Sequence, residues 1–366
     1  MKEGWIPCFI GKVFHICSIP VVMAKVTLKD LAKELGVSTT LISRVLNAPR
    51  KEDGSLDCDI ARETADRVFE VAKRLDYRPS RFAAGLRSGK RYLLGVITPD
   101  ISNYAFSEAG RHIEEMAHNE GYSVMFGSSA ESASRMAEIL DIFVDHGVDG
   151  IIVTPCSGSE IYVKKVVEKG FPVVLTNRDL PSLEGVGRVF LDNVLSMKRV
   201  VEHLYEGGYR RIEMISEKVD VLSLRDRESG YTETMLSYGL TPHIYYGESS
   251  LLDEQIPQFV KTAHEKATEA LITPRIILSL ESIRAILGMG LRIPDDMAIF
   301  CHDESPAFTT FSPTISYVSQ CSDAVGKEAY RMIRSMMAGN SGGKVLIPPK
   351  LFFGDSTRRK LPPLSV

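Results

Sequence analysis

From Leu93 to Cys301 the chain repeats one pattern, a short, mainly apolar run followed by a longer mixed stretch. The runs are LLGVI (93–97), YSVMF (122–126), GIIVT (150–154), PVVL (172–175), RIEMI (211–215), ALIT (270–273) and MAIFC (297–301). A run of four or five apolar residues without polar alternation needs cover on both faces, as a parallel strand between helix layers has. Stretches of helical length separate most of the runs, at 106–119, 132–146, 194–206 and 279–289. Strand–helix repetition implies a doubly wound parallel sheet, and two successive sets of units imply two α/β lobes. A ligand would then lie between the lobes, at the carboxyl ends of the strands.

With 366 residues, 44% hydrophobic and 25% charged, this is a globular chain of more than one domain. The net charge of −3 hides an asymmetry: Lys25–Lys90 holds 14 Lys/Arg against 10 Asp/Glu, and Arg91 to the end holds 28 against 36. A basic module on an acidic body fits a nucleic-acid-binding head joined to a regulatory core. Cys8, Cys17, Cys58, Cys156, Cys301 and Cys321 show neither CxxC nor Cys/His metal spacing. A reduced, cytoplasmic chain with no metal and no cofactor is expected. Residues 1–24 carry Lys12 and His15 inside their apolar run and are punctuated by Pro7 and Pro20. They fit neither a signal peptide nor a membrane helix, and a disordered extension or an over-long start is expected.

The basic module, 25–79, has its own signals. In TLKDLAKEL, Leu28, Leu31, Ala32 and Leu35 share one helical face, with Thr27 as N-cap, Asp30 three residues on and Gly36 as the stop. Ser38 then caps a second helix, at the spacing of a helix-turn-helix. Its buried stripe is Ile42, Val45 and Leu46. Thr40, Arg44 and Asn47 lie opposite, flanked by Thr39 and Ser43, and no acid occurs from Gly36 to Lys51. Threonine methyls can touch thymine, and Arg or Asn can pair with purine edges. Asp59 is expected to cap a third helix, with Ile60, Thr64, Val68, Val71, Ala72 and Leu75 along one side, ending before Pro79. Between the second and third helices, APRKEDGSLDCD reads as a solvated excursion, with acids that keep it off phosphate.

VTLKDLAKELGVSTTLISRVLN, RVFEVAKRLDYRPSRFAAGLRSGK and LLGVITPDISN together resemble the lactose/galactose repressor (LacI–GalR) family of bacterial transcription regulators. The resemblance spans roughly 25–357. It implies a helix-turn-helix head, a hinge at 80–90, and a periplasmic-binding-protein-like core of two lobes over 91–366. It also implies an operator-binding homodimer controlled by a small-molecule effector such as a sugar or sugar derivative. By that resemblance Ser38 contacts phosphate, Thr39, Thr40 and Arg44 face bases, and Asn47 contacts the backbone. Leu86, in RFAAGLRS, is the residue that wedges into the minor groove. Gly85 departs from the hinge pattern, where it costs roughly 1 kcal/mol against alanine. The loop after Ala48 is longer than the family connection.

For the effector, the resemblance assigns Arg227 in SLRDRESGY and Asp303 after MAIFC, with Asn103 at the end of the first strand. Three positions depart from the family: Asn177-Arg178 replaces Asp-Arg, Pro274-Arg275 replaces Asn-Asp, and Ser249 stands where an aromatic is usual. Arg178, Arg227 and Arg275 near one cleft would suit an acidic ligand; solvent exposure or pairing with acids is the alternative. No GxSxG, GxxxxGK[ST], HExxH or strand-borne GxGxxG is present, and His302-Asp303 reads more readily as a binding or structural pair than as a catalytic dyad. The competing readings, a solute-binding protein with the same core or a sugar-processing enzyme, lack a secretion signal and a catalytic constellation respectively.

Overall fold

The computed structural model describes residues 26–46, 48, 59–77 and 90–359. The described residues fall into two compact units, the smaller ending at 77 and the larger starting at 90.

The smaller unit holds three helices: α1 (Leu28–Leu35), α2 (Thr39–Leu46) and α3 (Arg62–Arg74). Local chemistry sets their ends. The Thr27 hydroxyl accepts from the Asp30 amide at 3.4 Å, and the Asp30 carboxylate accepts from the Thr27 amide at 2.8 Å, completing a capping box. Gly36 takes φ 68°, a left-handed position that closes α1 without a Cβ penalty. The Ser38 hydroxyl accepts from the Leu41 amide at 3.2 Å and starts α2. Leu31, Ile42, Val45, Ala65, Val68 and Ala72 form the shared core. Two expectations need correction. The third helix begins at Arg62, with Ala61 at the N-cap and no side-chain cap, so Asp59 lies outside it. Ala65 rather than Thr64 fills its inner face; a methyl needs no hydrogen-bond partner there and a hydroxyl does.

The larger unit contains two six-stranded sheets. In the first, the order is β11 (Lys344–Ile347), β5 (Gly187–Leu191), β4 (Val173–Thr176), β3 (Gly150–Val153), β1 (Leu93–Thr98), β2 (Ser123–Ser128). In the second it is β12 (Lys350–Phe352), β10 (Ser316–Ser319), β9 (Ala298–His302), β8 (Ala270–Thr273), β6 (Ile212–Glu217), β7 (Ile244–Gly247). The ladders are parallel except β10 with β12. The central strands are buried along their length, as the continuous apolar runs require.

Helices α4 (Tyr104–Asn119), α5 (Ala133–His146) and α6 (Glu160–Glu168) belong to lobe 1. Helices α7 (Asn193–Glu206), α8 (Leu222–Ser237), α9 (Leu252–Glu265) and α10 (Ile276–Gly288) belong to lobe 2. The last helix, α11 (Ser322–Met337), returns to lobe 1 and packs on α4 and on β3, β4 and β5. The chain therefore passes between lobes after β5, after β10 and between β11 and β12.

Two glycines permit the closest helix contacts. A Cβ on Gly230 of α8 would lie 2.5 Å from the Val194 carbonyl of α7. One on Gly326 of α11 would lie 2.5 Å from the Ala109 carbonyl of α4.

Candidate DNA-reading face and effector cleft

On the smaller unit, Ser38, Thr39, Thr40 and Arg44 are all exposed, and α2 carries no acid. The Ser38 oxygen is engaged by the Leu41 amide, which leaves its O–H to donate outward at a positively polarised helix start. Hydroxyls, threonine methyls and a guanidinium on one acid-free face are chemically suited to a phosphate backbone and base edges. Ser43 is a correction: it is only 8% exposed. It lies three residues before Leu46 and one after Ile42, so its short side chain is covered at the edge of the apolar stripe. Asn47 and Leu86, with the hinge and the loop from 49 to 58, lie outside the described residues.

In the larger unit, a cavity of about 520 Å³ opens between the lobes. Its walls come from the segments after β1, β4, β6, β8 and β9, all at strand carboxyl ends. Asn103, Asn177, Arg178, Arg227, Arg275 and Asp303 all border it. Asn103 also caps α4, its Oδ1 accepting from the Ala105 amide at 3.0 Å. Asn177 and Asp303 adopt φ 59° and 75°, left-handed conformations that Asn and Asp tolerate better than most residues.

Asp303 is the best-anchored group. Its Oδ1 accepts from His302 Nδ1 at 2.9 Å and from the Gln320 amide, and its Oδ2 accepts from the Ile276 amide at 3.2 Å. Arg227 Nη1 lies 3.6 Å from Oδ1. Burial alone would raise the Asp303 carboxyl, but the Arg227 charge and the His302 and Gln320 hydrogen bonds hold it well below the usual carboxylate range. Burial, reinforced by the nearby Arg227 charge, depresses His302 to about 4 against the pull of Asp303, so the ring is neutral at pH 7. His302 is fully buried, with Nε2 3.3 Å from the Ser196 hydroxyl. It orients Asp303 from behind and cannot reach a substrate. Arg227, lowered to about 10 by burial, stays cationic. Its Nε donates to Asn193 Oδ1 at 2.8 Å and its Nη1 to the Pro274 carbonyl.

Each of the three arginines is matched by an acid. Arg178 makes a two-pronged pair with Glu131, Nη1–Oε2 at 2.8 Å and Nη2–Oε1 at 2.7 Å, and donates to the Pro155 carbonyl at 3.1 Å. Arg275 pairs with Glu217, and Arg227 with Asp303. Of the two sequence readings for Arg178 and Arg275, pairing with acids is the one observed. Asp100 and Glu304 add further carboxylates to the wall. Sequence reasoning missed Glu131, Glu217 and Gln320, because no local motif marks a counter-charge or a hydrogen-bond donor that only the tertiary fold brings in.

Among the described residues no group of His, Cys, Asp or Glu is placed to hold a metal ion, and no helix is long and apolar enough to cross a membrane.

Residues 27–80 match the family described as bacterial regulatory proteins, lacI family. Residues 92–256 match periplasmic binding proteins and sugar binding domain of LacI family, and 201–357 a periplasmic binding protein-like domain. The HTH-type transcriptional regulator KdgR of Bacillus subtilis (strain 168) is 27% identical over 321 residues, 86% of this chain and 92% of the relative. The ribose operon repressor of the same organism is 27% identical over 336 residues, 91% of this chain and 99% of the relative. The lac repressor dimer bound to operator and the anti-inducer ONPF shares the fold at 21% identity and TM-score 0.78, covering 91% of this chain and 99% of that one. Transcription regulator CcpA of Lactococcus lactis does so at 21% identity and TM-score 0.65, over 72% and 98%. Head and core both match, and the named relatives are regulators rather than enzymes. The chain is a member of the LacI–GalR family of bacterial transcription regulators.

Proposed function

We propose that this regulator binds a pseudo-palindromic operator as a homodimer and answers to a sugar-like effector in the inter-lobe cavity. Residues 25–79 serve as the DNA-binding head, 80–90 as the hinge with Leu86 as its wedge, 91–366 as the effector-binding and dimerisation core, and 1–24 as an extension. One head reads only a few base pairs, so a two-fold dimer is needed to double the site. Thr39, Thr40 and Arg44 read bases, Ser38 holds phosphate, and Asn47 adds a backbone contact.

The arrangement of Arg227 and Asp303 carries the effector reading. Among the described residues Arg227 Nη2 has no protein acceptor, and Asp303 Oδ2 accepts one bond, from Ile276. A donor beside an acceptor, both rigid and buried, meets the two functions of a sugar hydroxyl. Asn103, Asn177, Arg178 and Arg275 complete the polar wall. A thermal-shift screen of sugars against the full chain, repeated with Asp303→Asn, tests the site. Ligands that shift the wild type and not the variant are expected; equal shifts in both would move the effector elsewhere. A hit should also change operator affinity, since the two sites are coupled.

A further inference from the structure

Arg178 and Arg275 reach the cavity from different lobes, one after β4 and the other after β8. One carboxylate touches both, in addition to the buried Glu217 that already pairs with Arg275. Glu131, from the connection between β2 and α5, forks onto Arg178 and places Oε1 4.0 Å from Arg275 Nη2. Among the described residues this is the ion pair that spans the two lobes. Arg178 keeps the arginine of the Asp-Arg pair usual at its position, whereas Arg275 stands where an aspartate is usual.

The burial of the partners is lopsided. The Arg178 side chain is 10% exposed, so its charge needs a partner at all times. Glu131 is 45% exposed and returns to water cheaply. Its backbone, with Ala130 at φ 49° and Glu131 at φ 57°, puts two successive non-glycine residues in the left-handed region. A fixed buried cation is thus neutralised by a wet carboxylate on a strained connection, beside a cavity large enough for a small ligand. The two-pronged geometry is the one a guanidinium offers to any carboxylate or phosphate.

We infer that Arg178 and Arg275 form an anion subsite of the cleft and that Glu131 is its resident, exchangeable counter-ion. An effector carrying a carboxylate or phosphate enters in place of Glu131, and its charge bridges the lobes more closely than the 4.0 Å contact does. Selection against neutral sugars comes from the same residue: a ligand without an anion leaves Glu131 where it is. This inference rests on the cavity being the effector site, and it names the effector's charge.

The test is calorimetric titration of the full chain at constant ionic strength with three probes: D-gluconate, D-glucitol and inorganic sulfate. Glucitol has the gluconate skeleton without the carboxylate, and sulfate is an anion without the skeleton. Glu131→Gln removes the competitor, so it should tighten gluconate and sulfate at least ten-fold and leave glucitol unchanged. Adding Arg275→Gln should abolish the gain. An unchanged affinity for both anions in Glu131→Gln, or a gain that survives in the double variant, overturns the inference. If Glu131→Gln does not fold, Glu131→Asp shortens the reach by one methylene and should shift anion binding in the same direction; no shift overturns the inference equally. Sulfate reports the subsite even if no polyol binds, whereas loss of a neutral ligand in Asp303→Asn reports the cavity alone, so the two readings fail separately.

Discussion

The exposed face of α2 and the wall of the cleft both present arginine and hydroxyl groups, but in opposite states. On α2, Thr39, Thr40 and Arg44 stand in water with no acid beside them. In the cleft, Arg178, Arg227 and Arg275 each have a carboxylate partner. Solvent accounts for the difference. An exposed guanidinium is already hydrated and can wait for a polyanion. A buried one must be neutralised before any ligand arrives, or the fold bears an uncompensated charge. Recognition on the head is therefore by addition, and recognition in the cleft is by exchange.

Breaking a cleft pair should have the largest effect. Asp303→Ala strands Arg227 in a buried site and is expected to destabilise the core by about 3–5 kcal/mol, measured by urea unfolding. Arg44→Ala on the head should leave stability nearly unchanged, and equal losses would erase the contrast. Acid should act on the cleft first as well. The folded-state value of His302 lies near 4, below the unfolded value near 6.5, so its protonation favours the unfolded chain. Stability is complete above about pH 6.5 and falls as pH drops toward 4; the Asp303 contribution drains only below about 3.9. His302→Asn, whose amide can keep the donor toward Asp303, should flatten the upper slope, and an unchanged slope would acquit the ring.

Gly230→Ala tests packing without touching charge. With 2.5 Å to the Val194 carbonyl, the helices must part, at a cost of roughly 1–3 kcal/mol and with little change in operator specificity. Arg44→Ala should weaken operator binding by a similar 1–3 kcal/mol and relax base preference at one position. Undiminished discrimination in a binding array would remove Arg44 from base readout. Thr27→Ala, which loses the capping box, is the smallest change, about 1 kcal/mol in the stability of the isolated transition of the head.

The same contrast explains what could be read in advance. The head is written locally: Thr27, Asp30, Gly36 and Ser38 each act within three or four residues of themselves. Strands β1, β3, β8 and β9 are continuous apolar runs and announce themselves. Strand β5 carries Arg188 as its second residue, and β7 reads as IYYG, too short and polar to stand out. Helix α8 is hidden for a different reason. It packs on α7 through Gly230 and turns Arg227 toward the cavity, so Arg227 and Thr234 are buried among its apolar residues and its pattern has no clean stripe. Asn103, Asn177, Arg178 and Arg275 were legible by their places after apolar runs, and Arg227 and Asp303 through the family resemblance. Their counter-ions were not, because Glu131 lies 47 residues from Arg178 and Glu217 lies 58 from Arg275.

The path of the chain between lobes also orders events during synthesis. Lobe 1 begins at Leu93, yet its covering helix α11 and edge strand β11 are made from residues 322–347. While the ribosome is producing lobe 2, the inner face of β3, β4 and β5 lacks α11, and the apolar surface that will meet Tyr330 and Ile333 stands open. Lobe 2 must wait for β12 at 350–352 in the same way. Neither half is complete before residues 322–352 have been made, so apolar surface of both lobes stays open while most of the core is synthesised.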